Sequence, residues 1–402
     1  MKWEKVKLKD CCLSIADGDH QAPPKADTGI PFVTISNIVE NCFDFSNTMF
    51  VPESYYKALD DKRRVQEGDI LYSVVGSFGI PVLIKDNTKF VFQRHIAILR
   101  PNANKIDSRF LYYSMLSRDF YAKADSVAVG AAQRTISLNA LRNLEINIPA
   151  LSFQRRISSI LSAYDDLIEN NKKQIKLLEE AAQRLYKEWF VDLRFPGHEN
   201  VPVVDGVPEG WERKRIKEVV ATTSGGTPSR GHAEYYRDGS FFWIKTKELD
   251  DGFIFETEEL ISEEAVNKSS AKILKTGSII LAMYGATIGK LGITTTEMTC
   301  NQACCVFDMS TFKNGTEFLF CWLLEHRNFL IHQGKGAAQP NLSQEMIKNF
   351  EIILPDIQIL EKFSSITSEL FALKSSFQKK ILLLKSKRDA ILPKLTSGEI
   401  EV

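Results

Sequence analysis

The sequence predicts an α+β chain: two duplicated mixed α/β globular domains and two long helices packed as an antiparallel coiled coil, with pseudo-two-fold symmetry. Three observations predict this. The chain repeats itself at a steady offset of 206 to 211 residues. Each copy closes on a proline followed by a long apolar stripe at helical spacing. The rest of each copy is short strand candidates rich in Val, Ile, Phe and Tyr, punctuated by Gly and Pro.

The repeat is legible block by block. WEKVKLKD at 3–10 returns as WERKRIKE at 211–218, and IPFVTISNI at 30–38 as FFWIKTKEL at 241–249. GDILYSVVGSFG at 68–79 is echoed by GSIILAMYGATIG at 277–289, Gln93 falls on Gln302, and FLYYSML at 110–116 falls on FLFCWLL at 318–324. GAAQRTIS at 130–137 returns as GAAQPNLS at 336–343, and LEINIPAL at 144–151 as FEIILPDI at 350–357. A period this long excludes a solenoid and indicates tandem duplication of a whole domain with its appendage.

Four segments follow in order. Residues 1–150 form the first globular domain, with strand candidates at Ile70–Val75 and Phe90–Leu99 and a short helix at Ser108–Leu116. Residues 151–196 form a central long helix, with a stripe at Ile157, Ile160, Tyr164, Leu167, Asn171, Gln174, Leu178, Ala181 and Leu185. Residues 197–355 form the second globular domain, with strand candidates at Ser278–Met283 and Cys304–Asp308 and a short helix at Glu317–Leu324. Residues 356–402 form a C-terminal long helix, with a stripe at Phe363, Ile366, Leu370, Leu373, Phe377, Lys380, Leu384, Lys387 and Ile391. Both stripes step 3, 4, 3, 4, the spacing of a helix packed along another helix. Each helix spans about 35 residues, or about 50 Å, too long to bury its stripe on one small domain. Its simplest partner is its own duplicate. Ser137 and Ser343 each precede a brief helix as N-caps.

Composition bounds the function. The chain has 402 residues, 44% hydrophobic and 25% charged, and no apolar run near the 18 residues of a membrane helix. Its N-terminus lacks a signal-peptide core, so the expected location is the cytoplasm. Seven cysteines, with no C-x-x-C pair, make neither a disulfide framework nor a zinc site, and the six histidines show no ligand spacing. Basic and acidic residues balance at 51 each, which argues against a protein that simply coats DNA. The regional charges are +2 over 1–150, +1 over 151–196, −5 over 197–355 and +2 over 356–402.

Active-site patterns fail. GATIGK at 285–290 has three residues between its glycines where a phosphate-binding loop needs four, and Leu291 follows Lys290. There is no dinucleotide fingerprint, no amino-methyltransferase motif and no nucleophile elbow. Asp356, Glu361 and Lys362 superficially resemble a nuclease motif, but Asp356 opens a helix, where an acid caps.

This organisation resembles the specificity subunits of type I restriction–modification systems. The residues that carry the resemblance are the Trp-Glu openings at Trp3 and Trp211, the Gly-Asp-Ile-Leu and Gly-Ser-Ile-Ile strands with their glycine turns, and Asn301-Gln302. The Gly-Ala-Ala-Gln blocks, the prolines at the strand ends and the two heptad helices complete it. The resemblance implies two target recognition domains, each reading one half of a split, asymmetric site in double-stranded DNA. It implies that the helices act as a ruler and dock two methyltransferase subunits, with restriction/translocase subunits completing the assembly. S-adenosylmethionine, ATP and magnesium are then expected on those partners and no cofactor on this chain. Two other readings stay open: a self-contained methyltransferase or nuclease, and a coiled-coil scaffold with no nucleic-acid role.

Base and phosphate contacts need amide, hydroxyl and cationic side chains on loops. In the first domain the candidates are Ser36, Asn37, Ser77, Gln93, Arg94, His95, Gln133 and Arg134. In the second they are Lys245, Thr246, Lys247, Tyr284, Thr287, Lys290, Asn301, Gln302, Gln339 and Asn341. Gln133 and Gln339 equally suit tying a loop to the helix that follows, since residues reading different half-sites ought to differ. The same holds for Gln93 and Gln302. Arg94 and His95, facing Ala303 and Cys304 in the other copy, are the better specificity candidates.

Overall fold

A computed structural model describes residues 3–401 apart from 19, 21, 132 and 335–340. The chain divides into two compact units, one of residues 1–168 and 383–402, the other of residues 169–382. Each globular domain is thus completed by a piece of both long helices.

In the first unit, strand Glu4–Lys7 pairs antiparallel with Glu145–Ile148 and so joins the two ends of the domain. A four-stranded antiparallel sheet runs in the order Cys12–Asp17, Ile96–Pro101, Ile70–Ser73, Pro81–Leu83. A smaller sheet sets Ile30–Val33 between Met49–Val51 and Val91–Phe92, the last pairing parallel. Ile70, Tyr72, Leu99, Phe110 and Leu111 make the core with Ile157 and Leu161 of the central helix and Leu392 and Leu395 of the C-terminal helix. Asp69, 2% exposed, would be a costly buried charge if unpaired. Arg100 grips it with Nε at 3.0 Å and Nη2 at 2.9 Å.

The second unit repeats the plan. Glu212–Arg215 pairs with Glu351–Leu354. The main sheet runs Ala221–Ser224, Cys304–Asp308, Ile279–Ala282, Leu291–Thr294, Gly252–Ile254. The smaller sheet sets Phe241–Ile244 between Leu260–Ile261 and Thr299–Cys300, again with one parallel pairing. Phe307, Phe318, Phe320 and Trp322 pack with Tyr186 and Trp189 of the central helix and its extension, and with Phe363 and Phe371 of the C-terminal helix. The repeated tryptophans do matching work. Trp211 packs on Phe190 and Phe195, just past the central helix, with ring centroids at 5.8 and 4.8 Å. Trp3 lies against Gly398, just past the C-terminal helix. A Cβ there would come within 2.4 Å of the indole nitrogen, and φ is +81°.

The long helices are Leu151–Tyr186 and Ile357–Ser397. Inside the first unit Arg388 pairs with Asp165 at 2.6 Å. Inside the second, Lys374 pairs with Glu179 at 2.8 Å and the Tyr186 ring meets Phe363 at 6.3 Å. In both units, advancing along one helix retreats along the other.

The buried stripe differs from the expected one at alternate positions. Ile157, Tyr164, Asn171, Leu178 and Leu185 do face inward, but Ile160, Leu167, Gln174 and Ala181 are exposed. Leu161, Ile168, Ile175 and Ala182 take their places. The C-terminal helix makes the same shift. Thr367, Lys374, Ile381 and Arg388 replace Ile366, Leu373, Lys380 and Lys387. A 3, 4 repeat can start from the same anchor with a step of three or of four, and the two choices differ by one residue, or about 100° of helix. Packing selects the second. Its polar members are satisfied: the Thr367 hydroxyl donates to the Phe363 carbonyl at 2.8 Å, and Lys374 and Arg388 hold their carboxylates.

Five of the seven cysteines are buried, and Cys42 is exposed. Burial pushes the Cys305 and Cys321 thiols up to about 12. Among the described residues no group of His, Cys, Asp and Glu could hold a metal ion, and no helix is long and apolar enough to cross a membrane.

The stripe is directly testable. Leu161→Ala or Ile168→Ala is expected to cost about 2–5 kcal/mol in urea unfolding of the full chain. Ile160→Ala or Leu167→Ala is expected to stay within about 1 kcal/mol.

Candidate nucleic-acid interface

Four loops of the first unit are tied together by backbone hydrogen bonds. Val74 N–H donates to His95 O at 2.8 Å and Ile136 N–H to Val74 O at 2.9 Å. Gly76 N–H donates to Arg134 O at 2.9 Å, and Gln93 N–H to Val33 O at 3.2 Å. The segments around 33–37, 74–79, 93–95 and 133–136 therefore form one cluster. Gly76 and Gly79 take φ of +74° and +90°, which lets the 74–79 turn fold back sharply.

The second unit builds the same frame. Met283 N–H donates to Ala303 O at 2.8 Å, Leu342 N–H to Met283 O at 2.9 Å, and Asn301 N–H to Ile244 O at 2.9 Å. These are the counterparts of the bonds at Val74, Ile136 and Gln93, so Gln93, Arg94 and His95 fall on Asn301, Gln302 and Ala303. That is one residue away from the alignment expected from the sequence, which set Gln93 on Gln302 and Arg94 and His95 against Ala303 and Cys304. Backbone geometry is repeated while the side chains it presents differ.

The candidate residues sort by what already holds them. In the first unit Ser77 and Arg94 are exposed on the cluster, with half-buried Gln93 and His95 beside Arg94. Gln133 is exposed, and its amide nitrogen lies 3.6 Å from where a side chain at Gly76 would start. Arg134 is engaged locally, donating to the Asp125 carbonyl at 2.5 Å and its carboxylate at 2.6 Å. Ser36 is exposed, with its hydroxyl 2.7 Å from that of Thr34. Asn37 is buried: its oxygen accepts from Thr34 N–H at 2.9 Å, and its nitrogen donates to Asp44 O at 3.2 Å. That amide shapes the 34–37 turn.

In the second unit Lys245 donates to Glu259 at 2.7 Å and Glu258 at 2.9 Å, and Lys247 also pairs with Glu258. These lysines hold the Glu258 carboxyl at about 2, below the usual carboxylate range. The pairs are therefore intact at neutral pH and are lost only as the pH falls toward that value. Lys290 is drawn to Asp251 at 2.8 Å. Burial opposes its charge, but the Asp251 and Asp250 carboxylates outweigh that and raise its pKa. Asn301 folds its oxygen back on Ala303 N–H at 3.1 Å, and Gln302 accepts from the Thr227 hydroxyl. Thr246, Tyr284 and Thr287 are half-buried, and Asn341 is exposed next to Leu342. Gln339 lies outside the described residues.

One residue of this neighbourhood escaped sequence reasoning. The Arg230 guanidinium stacks over Tyr236 at 4.1 Å and faces Trp243 at 5.4 Å, with Glu259 at 2.7 Å. Trp243 in turn donates to Gly226 O at 3.1 Å, next to Thr227 and Gln302. The signal available was the Gly-Gly-Thr-Pro-Ser-Arg run at 225–230, a loop rich in small polar residues ending on a cation.

A family model described as "Type I restriction modification DNA specificity domain" matches residues 1–180 and again 208–384. The type I restriction enzyme MjaIX specificity subunit of Methanocaldococcus jannaschii is 31% identical over 73% of this chain and 69% of its own length. The HindI specificity subunit of Haemophilus influenzae is 26% identical, with 99% of each chain covered. Among solved structures, the type I restriction–modification S subunit from M. genitalium shares the fold with a TM-score of 0.61 at 17% identity, over 98% of this chain and 96% of that one. With one domain model matching each half of its internal repeat, the chain belongs to the type I restriction–modification DNA specificity family.

Proposed function

We propose that the chain is the DNA sequence-specificity subunit of a type I restriction–modification complex. Its two globular domains, 1–150 and 197–355, each recognise one half of a bipartite, asymmetric site in double-stranded DNA. Its long helices, within 151–196 and 356–402, pack as an antiparallel coiled coil about a pseudo-two-fold axis and dock two methyltransferase subunits and the restriction subunits. The chain performs no catalysis; S-adenosylmethionine, ATP and magnesium belong to those partners, and the complex works in the cytoplasm.

The observation that carries this reading is the loop cluster built twice on one hydrogen-bond frame. A repeated frame supplies two equivalent positions on DNA, and unlike side chains supply unlike base preferences. Ser77, Arg94 and Gln133 stand on one, Thr246, Thr287 and Asn341 on or beside the other. The helices support the ruler. About 50 Å of helix covers on the order of 15 base pairs at 3.4 Å per step, enough for two grooves on one DNA face. Exposed Ile160, Leu167, Ile366 and Leu373 leave apolar surface on the helices for partner helices to cover.

The experiment is to express the chain with a matching methyltransferase subunit and map methylated adenines across a genome, with and without this gene. A split motif that appears only with the gene is the expected result. Methyl transfer by the purified chain alone would overturn the reading. Exchanging residues 197–355 for those of a relative should change one half-site and leave the other intact. Arg94→Ala is expected to relax base preference in the half-site read by residues 1–150 by about tenfold or more. Glu258→Gln frees Lys247 from its carboxylate. DNA affinity should rise a few-fold at low salt, by about 2–5, and the gain should shrink as salt is added.

A further inference from the structure

An open groove of about 590 Å³ lies in the first unit. Ile38, Ile80, Pro81, Met115 and Leu116 give it an apolar lining, to which Arg118 adds a cation. The Arg118 side chain is exposed and makes no hydrogen bond or ion pair among the described residues. Gly79 also lines the groove. Behind it the Tyr72 hydroxyl, fully buried and without a hydrogen-bond partner among the described residues, lies 3.7 Å from where a side chain at Gly79 would begin.

The duplicated domain shows what such an arginine takes. Arg118 opens helix Arg118–Val127, and Arg327 opens the corresponding helix Arg327–Gln333. Arg327 grips the Asp251 carboxylate, which also accepts from Lys290 at 2.8 Å and from Leu291 N–H at 3.0 Å. In the first domain every one of these partners is changed. The turn that carries Asp251 (φ +59°) is made here by Glu40 and Asn41, both left-handed (φ +48° and +60°). Ile80 stands for Lys290. Pro81, with no N–H to give, stands for Leu291, so the Asn41 amide donates to the Pro81 carbonyl at 2.9 Å instead. The carboxylate of this turn, Glu40, is drawn to Lys385 at 2.8 Å, and among the described residues none holds Arg118.

We propose that this groove is a docking seat for an acidic, partly apolar segment of the methyltransferase subunit, whose carboxylate occupies on Arg118 the place that Asp251 occupies on Arg327. This rests on the specificity-subunit reading and adds a contact on the globular domain itself. Charge decides the occupant. Glu40, the one acid lining the groove, is already paired with Lys385 of the C-terminal helix at 2.8 Å, leaving Arg118 to be matched. The same pair places the groove beside the helix assigned to that partner. A DNA strand would offer a phosphate to Arg118 but nothing to cover the five apolar lining residues.

The test titrates the full chain with its separately purified methyltransferase subunit. Arg118→Glu should weaken binding by about tenfold or more, and Arg118→Lys by much less. Asn41→Asp, which returns an internal carboxylate to Arg118, should weaken it as well, and circular dichroism checks that each variant is folded. A photo-crosslinking residue at Leu116 should capture a peptide of that subunit containing Asp or Glu. Undiminished binding by both Arg118→Glu and Asn41→Asp would overturn the proposal, as would a captured peptide lacking an acid. So would an Arg118→Glu defect confined to DNA affinity, which would mark a phosphate contact. If the unaltered complex methylates no specific site, the specificity reading falls and the seat with it. If it methylates normally and the variants bind normally, only the seat falls.

Discussion

Everything in this chain depends on covering two long helices. A 36-residue and a 41-residue helix each carry an inward stripe that no single small domain can bury. The chain meets this by distributing each helix over two cores. The start of the central helix and the end of the C-terminal helix complete the core around Phe110 and Leu111. The end of the central helix and the start of the C-terminal helix complete the core around Phe318 and Phe320. Neither globular domain has a closed core without these helical pieces, so loss of packing along a helix is felt in the domains it supports. The tryptophan at each domain's opening strengthens the dependence, because Trp3 and Trp211 each pack where a long helix has just ended.

Duplication then separates what is held from what can vary. The strands, their register and the backbone bonds at Val74, Ile136 and Gln93 recur at Met283, Leu342 and Asn301. Backbone hydrogen bonds are indifferent to side-chain identity, so the frame survives substitution. The side chains standing on it are free to differ: Arg94 and His95 of the first domain occupy the places of Gln302 and Ala303 in the second. The same freedom acts away from the loops. Where the second domain joins Asp251 to Leu291, the first joins Asn41 to Pro81, and the turn is kept because the Asn41 amide donates where the Asp251 carboxylate accepts.

Electrostatics limits how such a chain can hold DNA. Its net charge is zero, and the cations offered by the second domain are largely matched in place. Lys245, Lys247 and Arg230 share Glu258 and Glu259, and Lys290 leans on Asp251. Phosphates must compete with carboxylates already in contact. Under the proposed function, attraction from such a surface is modest and discrimination would rest on hydroxyls, amides and Arg94. That would suit the proposed assembly, in which partner subunits contribute to the grip.

The sequence by itself determined the architecture at the level of repeats: two alike domains, two long helices, and the order in which they come. Repetition of apolar blocks is a one-dimensional property, so it survives in the chain as written. Individual orientations are not. The 3, 4 spacing allowed the stripe to pass through Ile160 or Leu161, and through Leu373 or Lys374. Apolarity favoured Leu373, yet the structure buries Lys374 because Glu179 and the Asp251 carbonyl are there to receive it. Asn37 and Lys290 looked equally available on loops, until long- and short-range partners engaged them. Conversely, nothing in the sequence distinguished Arg118 from Arg327; only the fold shows that one has a carboxylate and the other faces an open groove. Which groups are satisfied is decided by contacts between residues far apart in the chain, and those exist only once the tertiary structure has formed.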